Sequence, residues 1–420
     1  MRLSPLVPLA ILAVGWVSCG RTAPFGSDRA PAFDPAHEGT CRGPLEVFSR
    51  KTLELDPEQA PHPYFAADGV VFFVEHPAPA NVDRRPRLQR LELDTNRVET
   101  LAEGDLRIVD ADARTVLFAE VGPGPEPKLV SLREGRLNEI GSTAAATREG
   151  RPGRNIDGDF IGACTSGWSL GVLDARSDTL FQTLAQGGPC SEPIFTAGTD
   201  IVYLRHTDRR RRDEVVHWRA TADAGLATVV EEGRDLASPV LFEGRLVVIS
   251  AGEVRARSLD GDPSLERIHP GPCRALDASA AGVVLACGGQ GTPPITAASS
   301  LLFYDGRQLR SIVSDGRSIV SPRLGEGFVA WLAYEPGVDL CTGGLDAGRV
   351  MAASLDGAQI EEVAAIDLGC LCCGAFWPEP FLSVRGDTLA FNYDASSQDL
   401  STIRVGVARI RPACASSGPQ

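Results

Sequence analysis

Residues 238–269 read SPVLFEGRLVVISAGEVRARSLDGDPSLERIH, and this stretch decides the fold. It contains four short segments with strand character, at 238–241, 245–250, 253–259 and 265–269. Turn residues such as Glu243 and Gly244 separate them. Short apolar runs punctuated by Gly and Asp are typical of antiparallel strands joined by tight hairpins. The stretch therefore predicts one four-stranded antiparallel sheet.

The same four-strand pattern recurs and predicts eight copies of this sheet. The copies begin near His62, Leu106, Asn155, Glu192, Ser238, Cys273, Val320 and Glu379. The last copy has three strands, and the segment LEVFSRKTLEL at 45–55 has the composition of the missing fourth. Because its pairing with the last sheet would close a ring without long exposed edges, we predict an all-β, eight-bladed β-propeller closed by an N-terminal strand. Seven blades are the alternative if the third copy is irregular.

Composition agrees with a turn-rich β protein and argues against one class of partner. The 420 residues include 44 Gly and 30 Pro, and the chain is too long for one ordinary core. The formal net charge is −14, whereas nucleic-acid binding requires clustered Lys and Arg. We expect a monomeric propeller with no nucleic-acid partner and no cofactor.

The first copy carries a pattern known from other repeats. Pro63 is followed by Asp68 and Gly69 and then by the apolar run 70–74. This form resembles the WD40-like repeats of the TolB family, and the resemblance extends over about residues 60–410. It implies a propeller fold and suggests a periplasmic scaffolding role.

The N-terminus predicts export from the cytoplasm. After Arg2, residues 6–17 form an apolar segment of the length of a secretory signal, which is too short to span a membrane comfortably. Ser18 and Cys19 then resemble the lipobox of bacterial lipoproteins, although Trp16 stands where Leu is usual. The resemblance implies a lipid on Cys19 that anchors the chain to a membrane. Ordinary signal cleavage nearby is the alternative.

These features divide the chain into four parts. Residues 1–18 are a lipoprotein signal peptide and 19–44 a flexible tether rich in Pro, Ala and Gly. Residues 45–414 form the propeller, and 415–420 form a disordered tail. The expected location is the cell envelope, as an outer-membrane lipoprotein on the periplasmic face or at the cell surface.

Ten cysteines remain after Cys19, and an even number in an exported protein predicts disulfides. The blade pattern places Cys273 opposite Cys287 across one hairpin. It also places Cys164 and Cys190 on one face, at the end of one blade's second strand and the start of the next blade.

The remaining cysteines lie at the ring closure and before the last blade. Cys41 precedes the closing strand and Cys414 follows the strand that it should pair with, so a bond between them would fasten the ring. The others are Cys341, Cys370, Cys372 and Cys373. We expect one of the last three to bond Cys341. A four-thiolate metal site is the alternative, although we predict no metal.

Long loops predict the binding surface. The second-to-third loops are long at 77–86, 122–127, 207–213, 288–298 and 335–348, whereas the first-to-second turns are short. Binding sites favour loops held on a rigid scaffold, so we expect the partner at this end of the ring, the loop face, and at the mouth of the central channel. The alternative is that the loops are unconstrained insertions. Candidate contact residues are His76, His206, Arg209, Arg210 and Trp377.

Two motifs resemble sites that carry out chemistry in other proteins. Ser169 lies in a G-x-S-x-G match, but strand sequence follows it where hydrolases have a helix. Asp110 and Asp112 indicate turn residues, with too few oxygen donors for a calcium loop. The sequence provides no catalytic residue and leans against an enzyme.

The sequence thus predicts a lipid-anchored extracytoplasmic propeller that acts as a binding or scaffold module for an envelope protein or glycan. Two alternatives remain open. One is a propeller hydrolase or lyase with its site at the channel mouth, and the other is a carrier of a small ligand or metal that uses the channel.

Overall fold

The protein is described here by a computed structural model. The described residues are 45–55, 64–75, 85–122, 124, 126–142, 154–165, 169–183, 190–207, 212–220, 225–261, 264–288, 298–314, 316–334, 348–366, 382–394 and 403–412. All regular elements in these ranges are β-strands. No helix in this part of the chain is long and apolar enough to cross a membrane.

Eight four-stranded antiparallel sheets, the blades, account for every strand of the described ranges. The closing strand is β1 (Leu45–Leu55). Blade 1 contains β2 (Tyr64–Ala67), β3 (Val70–Glu75), β4 (Arg87–Glu92) and β5 (Val98–Glu103). Blade 2 contains β6 (Leu106–Ala111), β7 (Thr115–Glu120), β8 (Lys128–Arg133) and β9 (Arg136–Ser142). Blade 3 contains β10 (Ile156–Asp157), β11 (Phe160–Cys164), β12 (Leu170–Asp174) and β13 (Thr179–Thr183).

The remaining blades continue in chain order. Blade 4 contains β14 (Cys190–Ala197), β15 (Asp200–Thr207), β16 (Arg212–Ala220) and β17 (Gly225–Gly233). Blade 5 contains β18 (Leu236–Phe242), β19 (Arg245–Ser250), β20 (Glu253–Ser258) and β21 (Glu266–His269). Blade 6 contains β22 (Cys273–Ser279), β23 (Gly282–Cys287), β24 (Ser300–Tyr304) and β25 (Leu309–Val313). Blade 7 contains β26 (Ser318–Leu324), β27 (Phe328–Tyr334), β28 (Gly348–Ser354) and β29 (Ile360–Ile366). Blade 8 contains β30 (Leu382–Arg385), β31 (Thr388–Asp394), β32 (Ile403–Pro412) and β1.

The first strands of the blades contact one another around a central channel, so the prediction of an eight-bladed β-propeller is confirmed and the seven-bladed alternative is wrong. The third blade is irregular as suspected, because β10 has only two residues. A parallel bridge between Arg154 and Phe195 ties the chain just before β10 to β14 of the next blade. This bridge helps to hold the short strand in the ring.

Burial along the strands follows their radial position. Second strands lie between neighbouring blades, and β23 and β27 are buried at every residue. Strands covered on both faces read as continuous apolar runs, here GVVLAC and FVAWLAY. Fourth strands lie at the rim, and β5 has no buried residue. Trp331 is packed inside the cluster between blades 6 and 7.

The ring is closed by β1, as predicted. It pairs antiparallel with β32, from Leu45 opposite Pro412 to Leu55 opposite Ile403. In each blade the third strand runs toward the end of the ring that carries the first-to-second and third-to-fourth turns, which we call the turn face. Since Leu45 lies beside the end of β32, the chain enters the ring at the turn face.

Arg409 of β32 fastens this closure. Its Nε donates to Oδ2 of Asp387 at 2.9 Å, and its Nη1 donates to Oδ1 of Asp94 in blade 1 at 2.5 Å. The guanidinium also lies 4.9 Å from the ring centroid of Phe48 in β1. One buried cation therefore connects the last blade, the first blade and the closing strand.

A charged cavity in the central channel

A small, partly open cavity of about 40 Å³ lies in the channel toward the turn face. Every residue that lines it lies within four positions of the end of a first strand. Its charged members are Asp110, Arg154, Asp277, Arg323 and Arg385, and they come from blades 2, 3, 6, 7 and 8. The rest of the lining is Phe65, Ala66, Ala111, Leu382, Ser383 and Val384.

The two carboxylates in the lining join neighbouring blades. Oδ2 of Asp110 accepts a hydrogen bond from the backbone N–H of Ile156 at 2.9 Å, and Oδ2 of Asp277 accepts one from Leu324 at 2.8 Å. The hydroxyl of Ser383 accepts a third such bond, from a backbone N–H of β2, at 3.0 Å. Each of these side chains therefore supports the ring by satisfying a donor on the next blade.

Arg385 crosses the channel beside blade 1. Its guanidinium donates to the backbone carbonyls of Ala111 in blade 2 and Ile156 in blade 3. Nη1 also lies 3.5 Å from Oδ1 of Asp110. Burial raises the pKa of Asp110, and the neighbouring guanidinium opposes this shift. Arg385 thus braces the turn-face end of the channel and partly compensates a buried carboxyl.

Arg154 and Arg323 have fewer partners. The Arg154 guanidinium lies 5.5 Å from the ring centroid of Phe195, and Nη1 of Arg323 donates to the carbonyl of Pro322 at 3.0 Å. Burial lowers the pKa of both guanidinium groups, and Asp277 acts in the opposite direction on each. The cavity therefore brings together three guanidinium groups and two carboxylates, so its charged lining has a net positive charge within an acidic protein.

Two disulfides occur among the described residues. Cys164 bonds Cys190 and so joins blade 3 to blade 4, and Cys273 bonds Cys287 across the first hairpin of blade 6. His269 lies with the second pair, with its ring nitrogen and both sulfurs within 4.8 Å of one another. Because these sulfurs are joined, they do not offer the thiolates that a metal site of this kind needs.

Most of the other predicted site residues lie outside the described ranges. This applies to Cys19, Cys41, His76, Arg209, Arg210, Cys341, Cys370, Cys372, Cys373, Trp377 and Cys414. His206 lies in β15, with its backbone opposite Asp213. The assignment of the partner to the loop face stays a prediction.

The motifs at Ser169 and at Asp110 and Asp112 both have structural roles. The hydroxyl of Ser169 lies 2.9 Å from that of Thr165, and the residues that follow form β12, which is not the strand-to-helix turn of a hydrolase nucleophile. The interpretation of Asp110 as a turn residue is wrong, because it is buried in β6 and binds the next blade. Asp112 does shape the turn, since its Oδ1 accepts the backbone N–H of Arg114 at 2.8 Å.

Sequence reasoning missed the cavity, although a signal exists. The first strands of the eight blades can be aligned at the last residue before the first-to-second turn. Two positions before that residue, the side chain is polar or charged in five blades. These residues are Asp110, Asn155, Asp277, Arg323 and Ser383. A polar side chain recurring at one position of an otherwise apolar inner strand indicates a shared structural or binding role.

The chain is an eight-bladed β-propeller with its charged cavity at the turn face. No protein-family model matches the sequence, and a comparison with curated proteins found no match.

Three solved structures illustrate the likeness in fold. The computationally designed protein Ika8 has 12% identity and a TM-score of 0.46, covering 87% of this chain and 99% of its own. The propeller domain of the Trilobed protease from Pyrococcus furiosus has 10% identity and a TM-score of 0.46, with 85% and 96% covered. The WD40 repeats of RRP9 have 12% identity and a TM-score of 0.41, with 73% and 97% covered. These likenesses concern the fold alone.

Proposed function

We propose that this protein is a non-enzymatic, lipid-anchored binding module of the cell envelope that presents its loop face to a protein or glycan. The proposal includes the TolB-like character of its repeats and an outer-membrane anchor on Cys19. The fold itself supports a binding or scaffold role or a propeller enzyme. The choice between these two classes comes from the channel.

One observation favours binding over catalysis. Asp110, Asp277 and Ser383 are the lining residues that could act as base or nucleophile, and each one accepts a backbone N–H of the neighbouring blade. A general base must be free to reach the proton that it removes, and a serine nucleophile needs an adjacent base. In the described part of the channel these groups hold the ring together, and the other charged residues of the lining are arginines, which do not deprotonate.

The direction of the chain supports the proposed orientation. The described chain begins at Leu45 on the turn face, so a tether at 19–44 would join the ring on that side. A lipid on Cys19 would then leave the loop face directed away from the membrane. The disulfides of blades 3, 4 and 6 are compatible with an oxidising compartment.

Lipid labelling of cells tests the location. Radiolabelled palmitate should enter the wild-type chain and should be lost in Cys19→Ser, and the variant should move from the membrane to the soluble fraction. The matched control is Cys287→Ser, which changes a cysteine inside the ring. Label that persists in Cys19→Ser, or wild-type protein recovered from the cytoplasm, would contradict the proposal.

Site-specific photocrosslinking tests whether the partner binds the loop face. A photoreactive residue at Arg209, in the second-to-third loop of blade 4, should give a crosslinked species in intact cells. The same residue at Arg307, which is exposed in the third-to-fourth turn of blade 6, should give none. Crosslinks from Arg307 alone would place the partner on the wrong face and overturn this part of the proposal. The absence of crosslinks from every second-to-third loop would overturn the scaffold role.

A further inference from the structure

Two guanidinium groups in the turn-face cavity have few partners. Within the described residues, the Arg154 guanidinium makes a cation–π contact with Phe195 but no hydrogen bond, and Arg323 makes one hydrogen bond, to its neighbour Pro322. A guanidinium offers five N–H donors, and both of these side chains are half-buried, so most of their donors are left to solvent or to a ligand. Both side chains line the cavity, so their unused donors are available to something that enters it.

The charges around these two arginines favour an anion. Asp277 is the carboxylate that acts most strongly on both of them, and one of its oxygens is already engaged by the Leu324 N–H. Arg385 and Asp110 face each other and so largely compensate each other. Asp277 is therefore the main carboxylate for both guanidinium groups, with smaller contributions from Asp157 and Asp110 at Arg154, and Arg154 acts unfavourably on the charge of Arg323. An oxyanion between them would supply acceptors to both and reduce this repulsion.

The rest of the lining indicates what accompanies the charged group. Phe65, Leu382 and Val384 form an apolar part of the wall. The cavity volume is about 40 Å³, which admits a charged group with at most a short alkyl substituent. Small-molecule sites combine apolar walls with a few placed polar groups. A guanidinium binds carboxylate and phosphate in the same forked geometry, so both groups belong to the expected chemistry.

We propose that this cavity binds a small organic anion, holding its carboxylate or phosphate group between Arg154 and Arg323 and its apolar part against Phe65, Leu382 and Val384. The site lies at the opposite end of the ring from the proposed partner surface. Its occupation therefore does not depend on that partner.

Calorimetric titration of the purified full-length protein in detergent tests the proposal. The probes are acetate, methyl phosphate and ethanol, which combine one short alkyl group with a carboxylate, a phosphate or no charge. At least one of the two anions should bind at concentrations of up to about 10 mM, and ethanol should not. Binding of acetate alone would identify a carboxylate ligand, and binding of methyl phosphate alone would identify a phosphate ligand. Failure of both anions would overturn the proposal.

Variants separate the cavity from nonspecific charge effects. Arg154→Gln and Arg323→Gln should each weaken binding by about tenfold or more, since each removes charge-assisted hydrogen bonds. Arg136→Gln is the control, because Arg136 is an exposed arginine of blade 2 and its loss changes the net charge equally. Equal weakening in all three variants, or no effect in the two cavity variants, would refute the site.

A stability measurement without ligand provides a second readout. Arg323→Gln removes a desolvated charge that repels Arg154, so the unliganded variant should unfold at the same temperature as the wild type or higher. A variant that unfolds at the wild-type temperature but no longer binds the anion shows that the arginine is needed for binding and not for folding. Where Arg154→Gln fails to fold, Arg154→Lys serves in its place, and it should bind more weakly because it lacks the fork. Anion binding that is unchanged in a folded Arg154→Lys and in Arg323→Gln would contradict the proposed role of both arginines.

Discussion

Replacement of Arg409 by methionine should weaken the closure of the ring. Met keeps much of the side-chain volume and removes the charge and all of the donors. The variant leaves the carboxylate of Asp387 without its main partner. Only 16% of the Asp387 side chain is exposed to solvent. It also removes the contact with the ring of Phe48.

The magnitude follows from the burial of each partner. Removal of one member of a buried ion pair costs about 3–5 kcal/mol, and we take about 3 kcal/mol because Asp387 is not fully buried. The pair with Asp94 adds little, because 64% of that side chain is exposed and solvent screens the interaction. For a propeller of this length, about 3 kcal/mol corresponds to a decrease in Tm of about 4 °C.

Arg411→Met is the matched control. Arg411 lies two residues further along β32 and also lies over Phe48, at 4.6 Å, but it is 37% exposed and pairs with the exposed Glu46. Its loss should cost less than about 1 kcal/mol. Thermal and urea unfolding of both variants, without reductant, should show the difference. Equal destabilisation would refute the argument that burial of the Arg409 pair determines its contribution.

Two further predictions concern blades 3 and 4. Burial opposes ionisation of Asp200, but hydrogen bonds from His217 and Arg219 lower the pKa of its carboxyl below the usual range. The ionised carboxylate therefore stabilises the fold above about pH 4, and this stabilisation is lost as the pH falls further. Asp200→Asn should lower Tm by more at pH 7 than at pH 3. A decrease in Tm that is the same at both pH values would contradict this reasoning. Joint replacement of Cys164 and Cys190 by alanine should cost about 3 kcal/mol and should increase hydrogen exchange in blades 3 and 4 before the other blades, whereas uniform exchange around the ring would exclude a local role for this disulfide.

The sequence predicts the blades well because each strand has a local signature. In blade 5 the second strand was predicted at 245–250 and occupies Arg245–Ser250, and the other three strands differ by no more than two residues at either end. The closing strand was predicted at 45–55 and occupies Leu45–Leu55. Tight turns fix the register of hairpins, so errors do not accumulate from one blade to the next.

The channel could not be predicted in the same way. Its charged residues come from five blades, and Asp110 and Arg385 meet only because the ring brings distant segments together. Asp110 looked like a turn residue, since Asp is common in turns and its next-but-one neighbour Asp112 does occupy one. The alternation of apolar and polar residues along a strand indicates which side chains face a neighbouring blade. It does not indicate which charged groups those side chains contact there.

The pairing of β1 with β32 has a consequence for the order of folding. Synthesis proceeds from the N-terminus, so among the described strands β1 is the first one available and the last one to be paired. The strand that pairs with β1, β32, is held in place by contacts such as that between Asp94 and Arg409, which are 315 residues apart in the sequence. Long-range closure of this kind is slow, and an unpaired edge strand is prone to wrong pairing in the meantime. The ring therefore has a kinetically vulnerable stage, between emergence of β1 and completion of the last blade, at which the chain would benefit from being shielded.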